Sequence, residues 1–239
     1  MAAVLWLVVP SAAQPLQRFE VAVIHPHTAP ADSGASFELF PGGRIKIVNE
    51  PVKLLIRTAF HVPNPQIAGD PSWVETDPYD IEAKTGRPEK PTPDQLGPML
   101  QNLLAERFRF QFHRETRELS VLALVVTKGG PKMKPKQEDE TPGMNTHAGH
   151  GVSQLIATGS TMDLFAAYVG NRLGRIVIDK TGLTGSYDFT LEWAPEQGSD
   201  SPAPSLVTAL QEQLGLRLES RKSPMEVLVI DRIERPSDN

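Results

Sequence analysis

The residues of this chain whose types and spacing could do chemistry are six histidines and a few carboxylates. His25-x-His27 on an extended segment would aim both imidazoles to one face, and His147-x-x-His150 could curl around one ion in a loop, with Asp or Glu as a third ligand. No third ligand stands beside either pair, so no metal site is expected, and His25, His27, His147 and His150 are the residues that would form one. The competing reading is surface imidazoles at strand ends and in a linker. Among the acids, Asp80 and Asp188 stand out because each follows a tyrosine, as Tyr79-Asp80 and Tyr187-Asp188. Asp80, Glu82, Asp188 and Glu192 occupy alternating strand positions, where solvated faces also fall. Asp80, Asp188 and His113 are the catalytic candidates, as acid or base; a turn or cross-strand hydrogen bond is the other reading of the two aspartates.

What is missing narrows the chemistry. There is no Ser-x-x-Lys, Gly-x-Ser-x-Gly, His-Glu-x-x-His, P-loop or Gly-x-Gly-x-x-Gly, so the familiar hydrolase and nucleotide sites are absent and no cofactor is expected. The sequence has no cysteine, which rules out thiolate chemistry and a disulfide scaffold. Asp179-Lys180-Thr181-Gly182 resembles the aspartyl-phosphate segment of P-type ATPases, but Leu183-Thr184-Gly185 follows and no ATP-binding motif accompanies it. The bland reading is a strand end, a tight turn through Gly182 and Gly185, and a strand over 186–193. With 24 basic and 29 acidic residues the net charge is −5, which argues against nucleic acid as a partner.

The elements that must position these residues come twice. Phe108, Phe110, Phe112, Leu119, Val121, Leu122 and Leu124 reappear 106 positions on (214 less 108) as Leu214, Leu216, Leu218, Met225, Val227, Leu228 and Ile230. Tyr79-Asp80-Ile81 recurs as Tyr187-Asp188-Phe189, and Val52, Leu54 and Leu55 as Met162, Leu164 and Phe165. Core positions recur while loops drift, as in a duplicated unit. The predicted class is α+β, with two tandem copies of a helix-on-small-antiparallel-sheet unit.

Residues 1–13 read as a signal peptide, with an apolar run closed by Pro10 and a small-x-small site ending at Ala13. It is too short to span a bilayer, and no later segment resembles a span. The first half is expected over 18–135. Arg44-Ile45-Lys46-Ile47 alternates as a strand, Pro51 suits the first turn of a helix, and Thr92-Pro93-Asp94-Gln95 fits a capping box on a helix that Pro98 delays or kinks. A strand of alternating phenylalanines over 108–113, a polar turn over 114–117 and an apolar return strand over 119–127 complete it. Residues 136–150 read as a flexible linker and 151–236 as the second half; a second mobile loop is expected over 195–204.

Phe19-Glu20-Val21-Ala22-Val23-Ile24, Phe40-Pro41-Gly42-Gly43-Arg44, Pro71-Ser72-Trp73-Val74, Tyr79-Asp80-Ile81-Glu82-Ala83-Lys84, His113-Arg114-Glu115-Thr116-Arg117-Glu118-Leu119 and the 179–185 segment together resemble the soil-associated family of uncharacterised exported bacterial proteins, expanded in Acidobacteria. The resemblance spans nearly all of the chain after the leader and implies export and a shared fold, with no assigned activity. Gly97-Pro98 inside a helix, and Ala22-Val23-Ile24-His25 where the family tends to carry Ser-Ile-Lys, depart from it. Residues 48–60 and 158–193 are also similar to the short amino-terminal domain of secretins and TonB-dependent receptors, which implies protein contacts in the periplasm.

The sequence thus leads to a periplasmic or secreted non-enzymatic binding or interaction module, meeting an envelope protein or extracellular ligand through a sheet edge or the cleft between halves. The alternative is an exported hydrolase or metal-dependent enzyme using carboxylates or histidine in that cleft. Oligomeric state is not encoded in any pattern here.

Overall fold

The computed structural model describes residues 18–28, 34–136, 141–149, 151–195, 201 and 203–237. The expected signal peptide, His150 and most of the 195–204 loop lie outside them. The described residues form a mixed α+β fold of five helices and three small sheets. They divide into unit 1, Met1–Glu115 with Val227–Asn239, and unit 2, Thr116–Glu226.

Unit 1 carries a sheet ordered β1-β5-β3-β2, with β1 Val21–Pro26, β2 Ser36–Phe40, β3 Arg44–Pro51 and β5 Pro78–Lys84. All its pairs are antiparallel. The period-two pattern of β3 buries Ile45 and Ile47 and leaves Arg44 and Lys46 on the other face. Helix α1, Val52–Phe60, follows at once, and its i, i+3, i+4, i+7 positions Val52, Leu55, Ile56 and Ala59 are buried. Pro51 sits at the N-cap, one position before the expected first turn, and His61 closes the helix in the left-handed conformation at φ 53°. A two-residue strand β4, Ile67–Ala68, and the short helix α2, Trp73–Thr76, lead into β5.

Helix α3, Pro93–Arg107, packs on α1. The Thr92 side chain accepts from the Gln95 amide and the Gln95 side chain accepts from the Thr92 amide, closing the capping box. Pro98 lies within this helix, which runs through it without a break. Leu96, Leu100, Leu103 and Leu104 join Ile24, Ile47, Ile81 and Phe108 in one core.

Unit 2 repeats this order with β7 Lys134–Pro135, β8 Gly143–Gly149, β9 Val152–Ser160 and β11 Tyr187–Trp193 in a sheet ordered β7-β11-β9-β8. Helix α4, Met162–Leu173, follows β9 with Thr161 as its N-cap, and α5, Leu206–Leu214, is capped by Ser205 and ended by Gly215 at φ 68°. Leu155, Phe165, Val169, Leu191, Trp193 and Leu210 fill a second core. Registers match position for position: Tyr79 faces Pro26 and Asp80 faces His25, while Tyr187 faces Pro135 and Asp188 faces Lys134.

Three sequence expectations are corrected. Phe108 is the C-cap of α3 and Arg109 takes φ 52°, so the strand begins at Gln111 and not at Phe108. The linker expected over 136–150 contains β8, which pairs along its whole length with β9. No turn occurs at 114–117: β6 runs unbroken over Gln111–Val126, and β12 over Leu216–Arg232. The segment Arg114-Glu115-Thr116-Arg117-Glu118 is polar but lacks the Gly, Pro, Asn or Asp that a reversal demands, and an exposed strand suits it as well.

The unbroken strands have a topological result. In unit 1, β4 pairs in parallel with the end of β12, Ile67 beside Leu228. In unit 2, β10, Val177–Asp179, pairs in parallel with the end of β6, Val177 beside Leu122. The two pairs are equivalent, shifted by 110 (177 less 67) and 106 (228 less 122) positions. Each return strand therefore completes the unit to which the other half of the sequence belongs. β10, β6, β12 and β4 make the third sheet in that order.

Candidate functional site

The paired aspartates form the same local structure in both units. Asp80 Oδ1 accepts from the Asn49 amide at 2.9 Å and from His27 Nδ1 at 2.8 Å. Asp188 Oδ1 accepts from the Gly159 amide at 2.6 Å. Asn49 and Gly159 both have positive φ, 55° and 59°, and each lies near the end of the strand leading into α1 or α4, where pairing shifts register. An irregularity in a strand leaves a backbone amide off the ladder, and a carboxylate on the neighbouring strand satisfies it. The repeated Tyr-Asp is thus a clamp on a bent strand. Asn and Gly, the residues most tolerant of the left-handed conformation, were the signal for it in otherwise extended segments.

His27 adds to the clamp in unit 1 alone. Its side chain is only 5% exposed and lies against Asp80, an imidazole oriented by a carboxylate as in catalytic dyads. The bond to a backbone amide is the task the two aspartates share, since unit 2 has Lys136 at the place of His27, its amide meeting Ser186 as that of His27 meets Pro78. Close by in sequence, burial raises the Glu50 carboxyl above the ordinary glutamate range and the Arg57 charge opposes that rise. The buried Nε of Arg57 has no hydrogen-bond partner among the described residues. The counterparts of Glu50 and Arg57 are Ser160 and Ala167, so this charge pair is particular to unit 1.

The other candidates are placed apart from this cluster. His113 Nδ1 lies 2.8 Å from Asp231 Oδ1 and its Nε2 3.8 Å from Glu115, with the imidazole 51% exposed. Such a surface pair contributes little to stability, about 0–1 kcal/mol. His25 is exposed opposite Asp80, and His147 is exposed on β8 opposite Gln154. Among the described residues no three His, Asp or Glu side chains converge to hold a metal ion. Asp179 accepts from the Thr181 amide at 2.8 Å and the Thr181 hydroxyl from the Leu183 amide at 3.2 Å, which makes that motif a chain of side-chain-closed turns.

A second locus lies along the edge of unit 2's sheet. Among the described residues β8 pairs only with β9, and all its residues but Met144 are exposed. Its sequence, Gly-Met-Asn-Thr-His-Ala-Gly, holds no Lys, Arg, Asp, Glu or Pro. Edges in unit 1 are protected: Glu38 stands on β2, and Arg107 Nη2 donates to the Ala22 carbonyl of β1 at 3.3 Å. Beside β8, the Thr146 hydroxyl and Tyr168 hydroxyl are 3.0 Å apart. The Arg172 guanidinium lies 5.4 Å from the Tyr168 ring centre and 6.0 Å from that of Trp193. Sequence patterns missed this group because they rank repeated positions, and here the copies differ: the counterparts of Thr146, Tyr168, Arg172 and Trp193 are Leu39, Thr58, Val62 and Thr85.

Fold and loci together define an α+β protein of two units with one topology. The chain belongs to the family described as protein of unknown function (DUF3738), whose model matches residues 53–233. No curated protein and no solved structure matches it. No helix among the described residues is long and apolar enough to cross a membrane.

Proposed function

We propose that this chain is an exported, non-enzymatic interaction module, descended from a duplicated unit, that accepts an extended segment of a partner along the open edge of β8. The observation that carries this reading is the edge itself. Seven residues long, without Lys, Arg, Asp or Glu and exposed but for Met144, it is paired on one side only among the described residues, whereas natural sheets blunt such edges with charge, proline or a covering element. Main-chain hydrogen bonds from an added strand would supply affinity, and alternate side chains specificity. The amino-terminal leader and the likeness to soil-associated exported proteins support an envelope or extracellular location.

Two measurements test the reading. The full chain, produced in a bacterial host with its leader, is expected outside the cytoplasm and beginning at Gln14; retention in the cytosol with Met1 intact would overturn export. Selection of displayed ten-residue random peptides on the mature chain is expected to enrich binders. An Asn145→Lys/His147→Lys variant, which places charge on the edge, is expected to lose them. Equal enrichment on both proteins would overturn strand addition at β8.

A further inference from the structure

From the charge of Arg172 on α4 we infer that the strand accepted by β8 is acidic, its carboxylate read by this guanidinium on an aromatic platform. This rests on the strand-addition reading. A strand added to β8 would lie about 4.8 Å beyond it, with alternate side chains on the face of Thr146. That face is where Tyr168 and Arg172 stand, linked by the 3.0 Å contact of the Thr146 and Tyr168 hydroxyls. Tyr168 and Trp193 meet edge to face at 79° with centres 6.4 Å apart, and Arg172 lies over both rings.

Three observations point to a carboxylate. Arg172 is exposed and forms no ion pair with an acid among the described residues. Stacking on rings fixes the plane of a guanidinium while leaving its N–H fork open for a bidentate acceptor. β8 brings no acid of its own, so the same strand of a second copy would offer Arg172 no carboxylate from within its length. The whole group is also particular to unit 2, because unit 1 has Leu39, Thr58, Val62 and Thr85 at these places. The two units thus differ at the hydroxyl of Thr146, the rings of Tyr168 and Trp193 and the charge of Arg172 together.

The test uses the peptides enriched on the mature wild-type chain. Asp or Glu is expected at one alternate position in most of them. By fluorescence anisotropy, replacing that acid with its amide is expected to weaken binding about tenfold, the scale of one charge-assisted bidentate contact. Arg172→Gln is expected to erase the difference between acid and amide peptides, and Arg172→Lys to restore only part of it. An Arg172 that serves merely the α4 carboxyl-terminal dipole would lower stability in Arg172→Gln without changing acid preference, and that result overturns the inference. Enriched peptides that need the β8 edge but carry no acid overturn it too, while leaving strand addition standing. Failure to enrich any edge-dependent peptide overturns both.

Discussion

Unit 2 is one continuous stretch of chain, whereas unit 1 is assembled from two stretches that flank it. This makes their stabilities unequal partners. Phe165 is fully buried in the second core, its ring 4.7 Å from that of Phe189, so Phe165→Ala should cost about 3–5 kcal/mol. At a urea dependence of about 2 kcal/mol per molar, that lowers the unit 2 midpoint by about 1.5–2.5 M. Unit 1 needs Glu115 and Val227 held near each other, as the His113–Asp231 contact shows. When unit 2 unfolds, the 116–226 segment becomes an open loop of about 110 residues, whose closure costs about 4.7 kcal/mol by chain entropy. That is comparable to the stability of a whole domain, about 5–15 kcal/mol. The assay is urea unfolding of the chain from Gln14, in two single-tryptophan forms. Trp73, kept by Trp193→Phe, reports unit 1; Trp193, kept by Trp73→Phe, reports unit 2. Phe165→Ala is expected to pull the Trp73 midpoint down to that of Trp193. Leu228→Ala, which empties space in the first core, is expected to lower the Trp73 midpoint alone. A Trp73 midpoint standing 1 M or more above that of Trp193 in Phe165→Ala, on the order of half the expected shift, would refute the argument.

Two further outcomes follow from the clamps and the buried carboxyl. Asp80→Ala and Asp188→Ala should each destabilise by about 1.5–3 kcal/mol, the scale of a hydrogen bond to a charged group, with the asparagine variants recovering part of the loss in thermal unfolding. Losses under about 0.5 kcal/mol, within the range of ordinary surface substitutions, would show that the bent strands hold without them. Glu50 is held above the ordinary glutamate range by burial. Its folded form therefore keeps a proton that the unfolded form has lost, and stability drains away as pH rises through the folded value. Urea midpoints measured from acid to neutral pH should show Glu50→Gln gaining on the wild type as pH increases. A difference that stays flat or shrinks would contradict the assignment.

Much of the fold was legible because its signals are local. The alternation in β3, the apolar stripe of α1 and the Thr92–Gln95 box each specify an element by themselves. The α+β class followed from them. The course of the chain at 114–117 was not legible, since polar residues serve a turn and an exposed strand equally well, and which occurs depends on where 119–127 finds its neighbour. β8 was misread for a related reason: small and polar residues resemble a linker until a strand such as β9 lies alongside. At the aspartates, the repeated Tyr-Asp marked the right residues, but its task depends on Asn49 and Gly159, some 30 residues upstream in sequence.

The exchanged return strands also set a timetable. Leu228 and Ile230 belong to the first core, yet Leu228 leaves the ribosome 118 residues (228 less 110) after Phe110, the buried residue of that core before it. A nascent or threading polypeptide can finish unit 2 as soon as Glu226 has emerged, while the older part of the chain waits. A message truncated anywhere before Val227 would yield a product whose first core lacks Leu228 and Ile230 and whose β4 lacks its partner strand. Completion of unit 1 thus reports that all of unit 2 has already been made.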